Sequence, residues 1–231
     1  MTSEKEEPGA WGGIHICGRA HTNAEGGKGS SEIGGAVYGG NDDADNSGTL
    51  QYIRLEYTGF AFDEEHEANG ISFYGVGNGT IVDHCQAYKG SDDGFEFFGG
   101  SVNVSNLVAV SCSDDSFDWT EGWNGKGTNL VAYQEDKSTL GYDCDCLMEC
   151  DNNGSNNAAT PVAHPVLKNL ILVGNGGSKQ GIRLRAGTEV EIDNAKVCGK
   201  GQPLTVETAL TENALKNGTS KLTNITLTSE L

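Results

Sequence analysis

Apolar positions in this chain come in short alternating bursts rather than in helical stripes. Phe95-Glu96-Phe97 alternates apolar, acidic, apolar, and Phe117-Asp118-Trp119 repeats the pattern 22 residues later. Alternation with a period of two marks strands with one face buried. The pattern extends in both directions. First inward positions fall at Ile71, Phe95, Phe117, Met148, Ile182 and Leu204, and second ones at Phe73, Phe97, Trp119, Cys150, Leu184 and Val206. The first positions are spaced by 24, 22, 31, 34 and 22 residues. A basic period near 22 with insertions in two turns accounts for every step.

A second strand recurs within the period. Val82–Tyr88 aligns with Val104–Val110, and similar stretches cover Tyr52–Tyr57, Asn129–Tyr133, Asn169–Val173, Asn194–Cys198 and Asn224–Leu227. Two short strands per 22-residue repeat predict an all-β solenoid, a right-handed parallel β-helix of about 7–8 coils. Leucine-rich repeats would show a regular Leu/Asn signature with helical stretches. Propellers would need four strands in each ~40-residue blade. Neither pattern is present.

Stacking coils at about 4.8 Å puts equivalent side chains in columns. The outward column between the two inward ones is Ser72, Glu96, Asp118, Glu149, Arg183, Thr205. The preceding turn adds Asp92, Asp114 and Asp145, with Asp93 and Asp115 beside them and Cys146 taking the third place. Stacked acids repel and resist ionisation unless compensated. Two compensations are available. Arg183 stands beside Glu149 in the column. Alternatively, Glu96, Asp118, Glu149, Asp92, Asp114 and Asp145 hold Ca2+, which accepts six to eight oxygens in flexible geometry.

The same residues offer catalysis in two forms. Paired carboxylates among Asp92, Asp93, Asp114 and Asp115 could act as acid and base on a glycosidic bond. Ca2+ could instead neutralise a uronate while Arg183, Arg185 or a lysine assists β-elimination. Polygalacturonases, which share this architecture, use Asp residues on neighbouring coils, a G-H-G histidine and an R-I-K element. Arg183-Leu184-Arg185 resembles the last, but no histidine occupies the intervening coil: His84 precedes the acids and His164 lies in a loop. Tyr74 and Trp123, like Trp11, are candidates for stacking on sugar rings. Asn41–Gly48 has the composition of an EF-hand loop, but its Gly is displaced and the closing Glu is missing, so an Asx-rich turn is expected.

Composition narrows the partners. The 231 residues include 34 Gly and 4 Pro, with 33 acids against 15 Lys and Arg, for a formal charge of −18. Nucleic acid and anionic lipid are disfavoured, because both need clustered basic residues. No apolar run long enough to span a bilayer exists. The opening residues lack the apolar segment of a signal peptide. A disordered start at 1–10 is expected, followed by one β-helix domain that is a fragment of a longer exported protein. Cys144-x-Cys146-x3-Cys150 lacks zinc-knuckle spacing. The seven Cys are expected as disulfides or small buried thiols, with one left over if the rest pair.

Several longer motifs carry a resemblance. They are W-G-G-I-x-I-x-G-R-A at Trp11–Ala20, Y-G-G-N-D at Tyr38–Asp42 and N-S-G-T-L-Q-Y-I-R-L-E-Y-T-G at Asn46–Gly59. E-x-N-G-I-S-F-Y-G-V-G-N-G-T at Glu67–Thr80, D-D-G-F-E-F-F-G-G at Asp92–Gly100, D-D-S-F-D-W at Asp114–Trp119, E-C-D-N-N at Glu149–Asn153 and I-R-L-R-A-G-T at Ile182–Thr188 continue it. Together they resemble a family of secreted, lipoprotein-like β-helix proteins of Gram-negative bacteria, notably Bacteroidetes and marine proteobacteria, with pectate-lyase-like architecture. The resemblance implies an extracellular or outer-membrane surface location and further coils upstream of Trp11. The family has no established activity, so no catalytic residue is carried over. The expected function is a surface binding or structural module, stabilised by Ca2+ and contacting polysaccharide. A polysaccharide lyase or hydrolase, or an adhesive repeat without a small ligand, are the alternatives. Open coil ends would favour end-to-end self-association.

Overall fold

A Phe-Glu-Phe segment turns both aromatic rings to one side of a strand, and a strand with one greasy face needs something to lie against. In the computed structural model, which describes residues 1–63 and 66–231, that something is the next turn of the same chain. The strands are β1 (Ile14–Cys17), β2 (Gly29–Ser30), β3 (Val37–Tyr38), β4 (Thr49–Glu56), β5 (Ile71–Tyr74), β6 (Ile81–Tyr88), β7 (Phe95–Phe98), β8 (Asn103–Val110), β9 (Phe117–Thr120) and β10 (Lys126–Tyr133). After a short helix α1 (Lys137–Leu140) come β11 (Met148–Asp151), β12 (Val166–Val173), β13 (Gln180–Arg185), β14 (Glu191–Cys198) and β15 (Gln202–Val206). Helix α2 (Ala209–Lys216) and β16 (Lys221–Leu227) close the chain.

Two seven-stranded parallel sheets result, ordered β1-β5-β7-β9-β11-β13-β15 and β16-β14-β12-β10-β8-β6-β4. Each coil gives one short strand to the first sheet and one long strand to the second. The molecule is a right-handed parallel β-helix, and the register is the predicted one. Ser72 pairs with Glu96, Glu96 with Asp118, Asp118 with Glu149, Glu149 with Arg183 and Arg183 with Thr205. The two long intervals are the two insertions. One carries α1 ahead of β11, and the other is the loop between β11 and β12.

The core is a set of aromatic stacks. Phe73 lies on Phe97 with ring centroids 5.0 Å apart, and Phe95 lies on Phe117 at 5.5 Å. Phe97 continues onto Trp123 at 4.1 Å. Trp123 is only 1% exposed, its indole N–H donating to Val102 O, and Tyr74 is 0% exposed beneath Tyr38 and on Phe98. Both were candidate sugar platforms. Burial inside the stack removes them from that role, because each extends an aromatic column of the fold. Trp11 also packs on the core, with its indole N–H donating to Glu56 O. Gly94 explains the Gly of D-D-G-F: a Cβ there would lie 2.6 Å from Ser116 O, in the way of coil contact.

Five of the seven long strands begin three residues earlier than the sequence pattern indicated, and β6 and β8 one residue earlier. The fourth residue of each eight-residue strand is left-handed: Tyr52, His84, Asn106, Asn129, Asn169 and Asn194 have φ between 51° and 63°, and Asn224 in β16 has φ 54°. A strand bends there and continues. Asn tolerates this conformation best among non-Gly residues. Its amide also bonds to the next coil. Asn129 donates to Asn106 Oδ1 at 2.9 Å, Asn169 to Asn129 at 3.0 Å and Asn194 to Asn169 at 2.8 Å. Asp83 and Asp193 accept from Asn106 and Asn224, and stacked Tyr52 and His84 extend the column.

The first ten residues run along the first coil. Met1 O accepts from Glu56 N–H and Gly9 N–H donates to Thr58 O. All seven cysteines are free thiols, five of them buried. Asn41–Gly48 is a turn in which Asp43 accepts from His21, Asp45 from Arg19, and Asn46 from Gly48 N–H. Among the described residues no helix is long and apolar enough to cross a membrane.

Asn169→Val combines a β-branched residue at positive φ with the loss of two ladder bonds. It should lower stability by about 2–3 kcal/mol in chemical denaturation, and Asn169→Gly, which keeps the conformation, by clearly less. Equal losses would mean that the corner is not conformationally demanding.

A carboxylate trough on the short-strand sheet

The outward face of the short-strand sheet and the turn leading into it form a trough of about 320 Å³. Its ten lining residues are all carboxylic acids. Glu96, Asp118 and Glu149 come from β7, β9 and β11, pointing out between inward apolar side chains. Asp92, Asp114 and Asp145 come from the turn, with Asp93 and Asp115 one residue on. The predicted metal set is therefore brought together in full. Glu32 and Glu67 complete the wall, and neither was singled out from sequence. Glu67 lies inside the E-x-N-G motif, one residue ahead of Ala68, which takes the turn position one coil before Asp92, so aligning the repeats passes it over. Glu32 sits in an insertion outside the repeat and leaves no periodic signal.

Asp93 and Asp115 have a structural task. Asn69 Oδ1 accepts from Asp93 N–H at 3.2 Å, Asp93 Oδ1 from Asp115 N–H at 2.9 Å, and Asp115 Oδ1 from Cys146 N–H at 2.7 Å. Each side chain caps the backbone of the coil above. This use of the carboxylate fixes both groups as buried caps, and it counts against their free movement as catalytic acids.

Both acid columns end in a cation. Lys179 pairs with Asp145. Arg183 bridges Glu149 at 2.9 Å and Glu207 at 2.9 Å, while Arg185 bridges Asp151 at 2.7 Å and Glu149. Both guanidinium groups are thereby committed to protein carboxylates. At the other end Asn69 Nδ2 donates to Glu96 Oε2 at 2.6 Å. Between these ends the acids face one another. Asp118 Oδ1 is buried and has no hydrogen-bond partner.

Burial, reinforced by neighbouring carboxylates, pushes Asp93, Glu96, Asp115 and Asp118 well above the usual carboxylate range. Asp92 is raised to about 7 by burial and by Glu67 and Asp114, and Asp114 to about 6 by burial and by Asp145 and Glu149. Burial also raises Glu149 and Asp151, against the pull of the arginines. Three-oxygen groups within 4.8 Å of one another form at Asp93/Glu96/Asp118, at Asp115/Asp118/Glu149 and at Asp92/Asp93/Asp114. Asp115, Asp145 and Cys146 make a fourth, mixed group. Oxygen-rich, geometrically irregular groups of this kind suit Ca2+ better than Mg2+, which demands a regular octahedron.

The family model for the pectate-lyase-like beta helix domain matches residues 1–231. None of the curated proteins matches the chain, and none of the solved structures does.

The proton affinities carry a stability consequence. Asp92 and Asp114 hold protons to about 7 and about 6 when folded, against 3.8 ordinarily. Stability from such groups is fully present below the unfolded value and is lost as pH rises through the folded one. With EDTA present, Tm should climb as pH is lowered from about 8 to about 5.5, and Asp118→Asn should flatten the slope. A wild-type Tm that falls over that interval would contradict the electrostatics described.

Proposed function

The chain belongs to the pectate-lyase-like β-helix domain family, and from that premise we propose an extracellular or cell-surface binding module that holds Ca2+ in its acidic trough and contacts acidic polysaccharide through the bound ion. The observation that carries this reading is the ten-carboxylate wall with the buried, unpartnered Asp118 Oδ1 at its centre. A site that concentrates negative charge away from water favours a cation over ten protonated acids at neutral pH. Asp118 and Asp93 each contribute to two of the three-oxygen groups, but an Asp93 oxygen is already taken by Asp115 N–H while Asp118 Oδ1 is unpartnered, so Asp118 is the residue on which binding depends most.

A uronate cannot approach this wall on its own, because its carboxylate would be repelled. Arg183 and Arg185 are engaged by Glu149, Glu207 and Asp151, which favours the metal over the arginines as the anchor for a sugar acid. An extracellular setting fits the chemistry, since Ca2+ modules outside the cell commonly bind in the range of ~10⁻⁴–10⁻³ M.

A glycoside hydrolase is the second reading. Asp92 and Asp114, raised to about 7 and about 6, are placed together, so that near neutrality Asp92 can hold the proton of a general acid while Asp114 is the more readily ionised partner.

Titration calorimetry should show Ca2+ binding that Asp118→Asn weakens at least tenfold. At 100 times Kd, Ca2+ should raise stability by about 2.7 kcal/mol and Tm by about 5–10 °C relative to EDTA. Uronate oligomers should then bind only with Ca2+ present. No Ca2+ binding removes the proposal. New reducing ends from a polymer, lost in Asp114→Asn, would establish the hydrolase instead, and ion binding without any glycan leaves a structural Ca2+ repeat.

A further inference from the structure

The trough has one wall that the solenoid does not supply. Most of its carboxylates are pinned by a seven-stranded sheet or by the turns stacked beside it. Glu32 arrives on the hairpin of β2 and β3, whose ladder is just two residue pairs, Gly29 with Tyr38 and Ser30 with Val37.

This hairpin has a fixed base and a free outer side. At the base Tyr38 is buried, its ring 5.1 Å from Tyr74 and its hydroxyl donating to Glu121 at 2.8 Å. The tip turns on its own bonds, with Ser31 N–H donating to Ala36 O and Ala36 N–H to Ser31 Oγ. Gly34 at φ 81° has no neighbouring atom within 4 Å of a Cβ position, and Val37 is exposed. Glu32 itself is held in the trough by a single long bond, from Tyr74 O–H at 3.3 Å. It faces Glu67 from the adjoining loop, Asp92 and Glu96 from the stack, and Glu121, with His66 also near.

We propose that the β2–β3 hairpin is a cation-operated flap and that Glu32 is the ligand that operates it. The proposal rests on the reading of the trough as a Ca2+ site. With the ion present, Glu32 is drawn inward and the hairpin tip is ordered over the upper end of the trough. Without it, like charge on Asp92, Glu96 and Glu67 drives Glu32 out, and the tip opens while Tyr38 stays seated. The flap would supply one of the Ca2+ oxygens last.

The test uses the whole chain at pH 8, with hydrogen exchange of residues 31–37 followed in EDTA and in saturating Ca2+, alongside calorimetry. Ca2+ should slow the exchange by at least about tenfold. In Glu32→Gln at saturating Ca2+ the ratio should collapse towards one, and its tip in EDTA should be better protected than that of the wild type. Calorimetric Ca2+ binding with no change at the hairpin would overturn the flap and leave the Ca2+ site standing. Retention of the full ratio in Glu32→Gln would also overturn it. Absence of Ca2+ binding would remove the site and the flap together.

Discussion

Parallel stacking at about 4.8 Å forces side chains at equivalent repeat positions into contact with their own kind. Everything else in this molecule follows from what each residue type makes of that contact. Phenylalanines gain, because rings 5.0 and 5.5 Å apart bury each other. Asparagines gain, because an amide is both donor and acceptor and a column of them is self-complementary. Ionised carboxylates lose, because they accept hydrogen bonds and donate none. Three successive coils here nevertheless stack them, as Glu96, Asp118 and Glu149.

The sheet shows how the cost is contained. Lys179 and Arg183 close the acidic columns on one side, and Asn69 donates to Glu96 on the other. Asp93 and Asp115 are absorbed by backbone amides. What is left over is concentrated around Asp118, whose buried oxygen has nothing to bind. Such an unmet buried acceptor costs about 1–3 kcal/mol, and more when charged. A divalent ion is the economical partner, since one ion meets several oxygens at once.

Periodicity made most of this legible. The inward rings, the Glu96–Asp118–Glu149–Arg183 column and the Asp92–Asp114–Asp145 turn all follow from aligning repeats, since parallel register leaves no freedom to slip. The asparagine corner was half visible: four of the stretches marked as strands began on an Asn, which was the bend and not the start. Tyr74 was misjudged because it closes strand β5 facing away from the solenoid core and is buried by Tyr38 of the inserted β2–β3 hairpin, which no repeat announces, and Trp123 because it lies past the end of β9, where alternation no longer says which side of the coil a ring faces. Glu32 was out of reach, because the hairpin that carries it is an insertion and insertions have no repeat to be aligned with.

The central claim is that the trough around Asp118 is completed by a cation. Anomalous diffraction from crystals grown with Ca2+ and with Mn2+ or a lanthanide in its place tests it most directly. The account predicts a metal peak within about 2.3–2.6 Å of Asp118 Oδ1 for Ca2+, with oxygens of Glu96, Asp93, Asp115 or Glu149 around it. A trough without a peak at millimolar Ca2+ and neutral pH, its carboxyls paired by shared protons at short O–O distances, would contradict it.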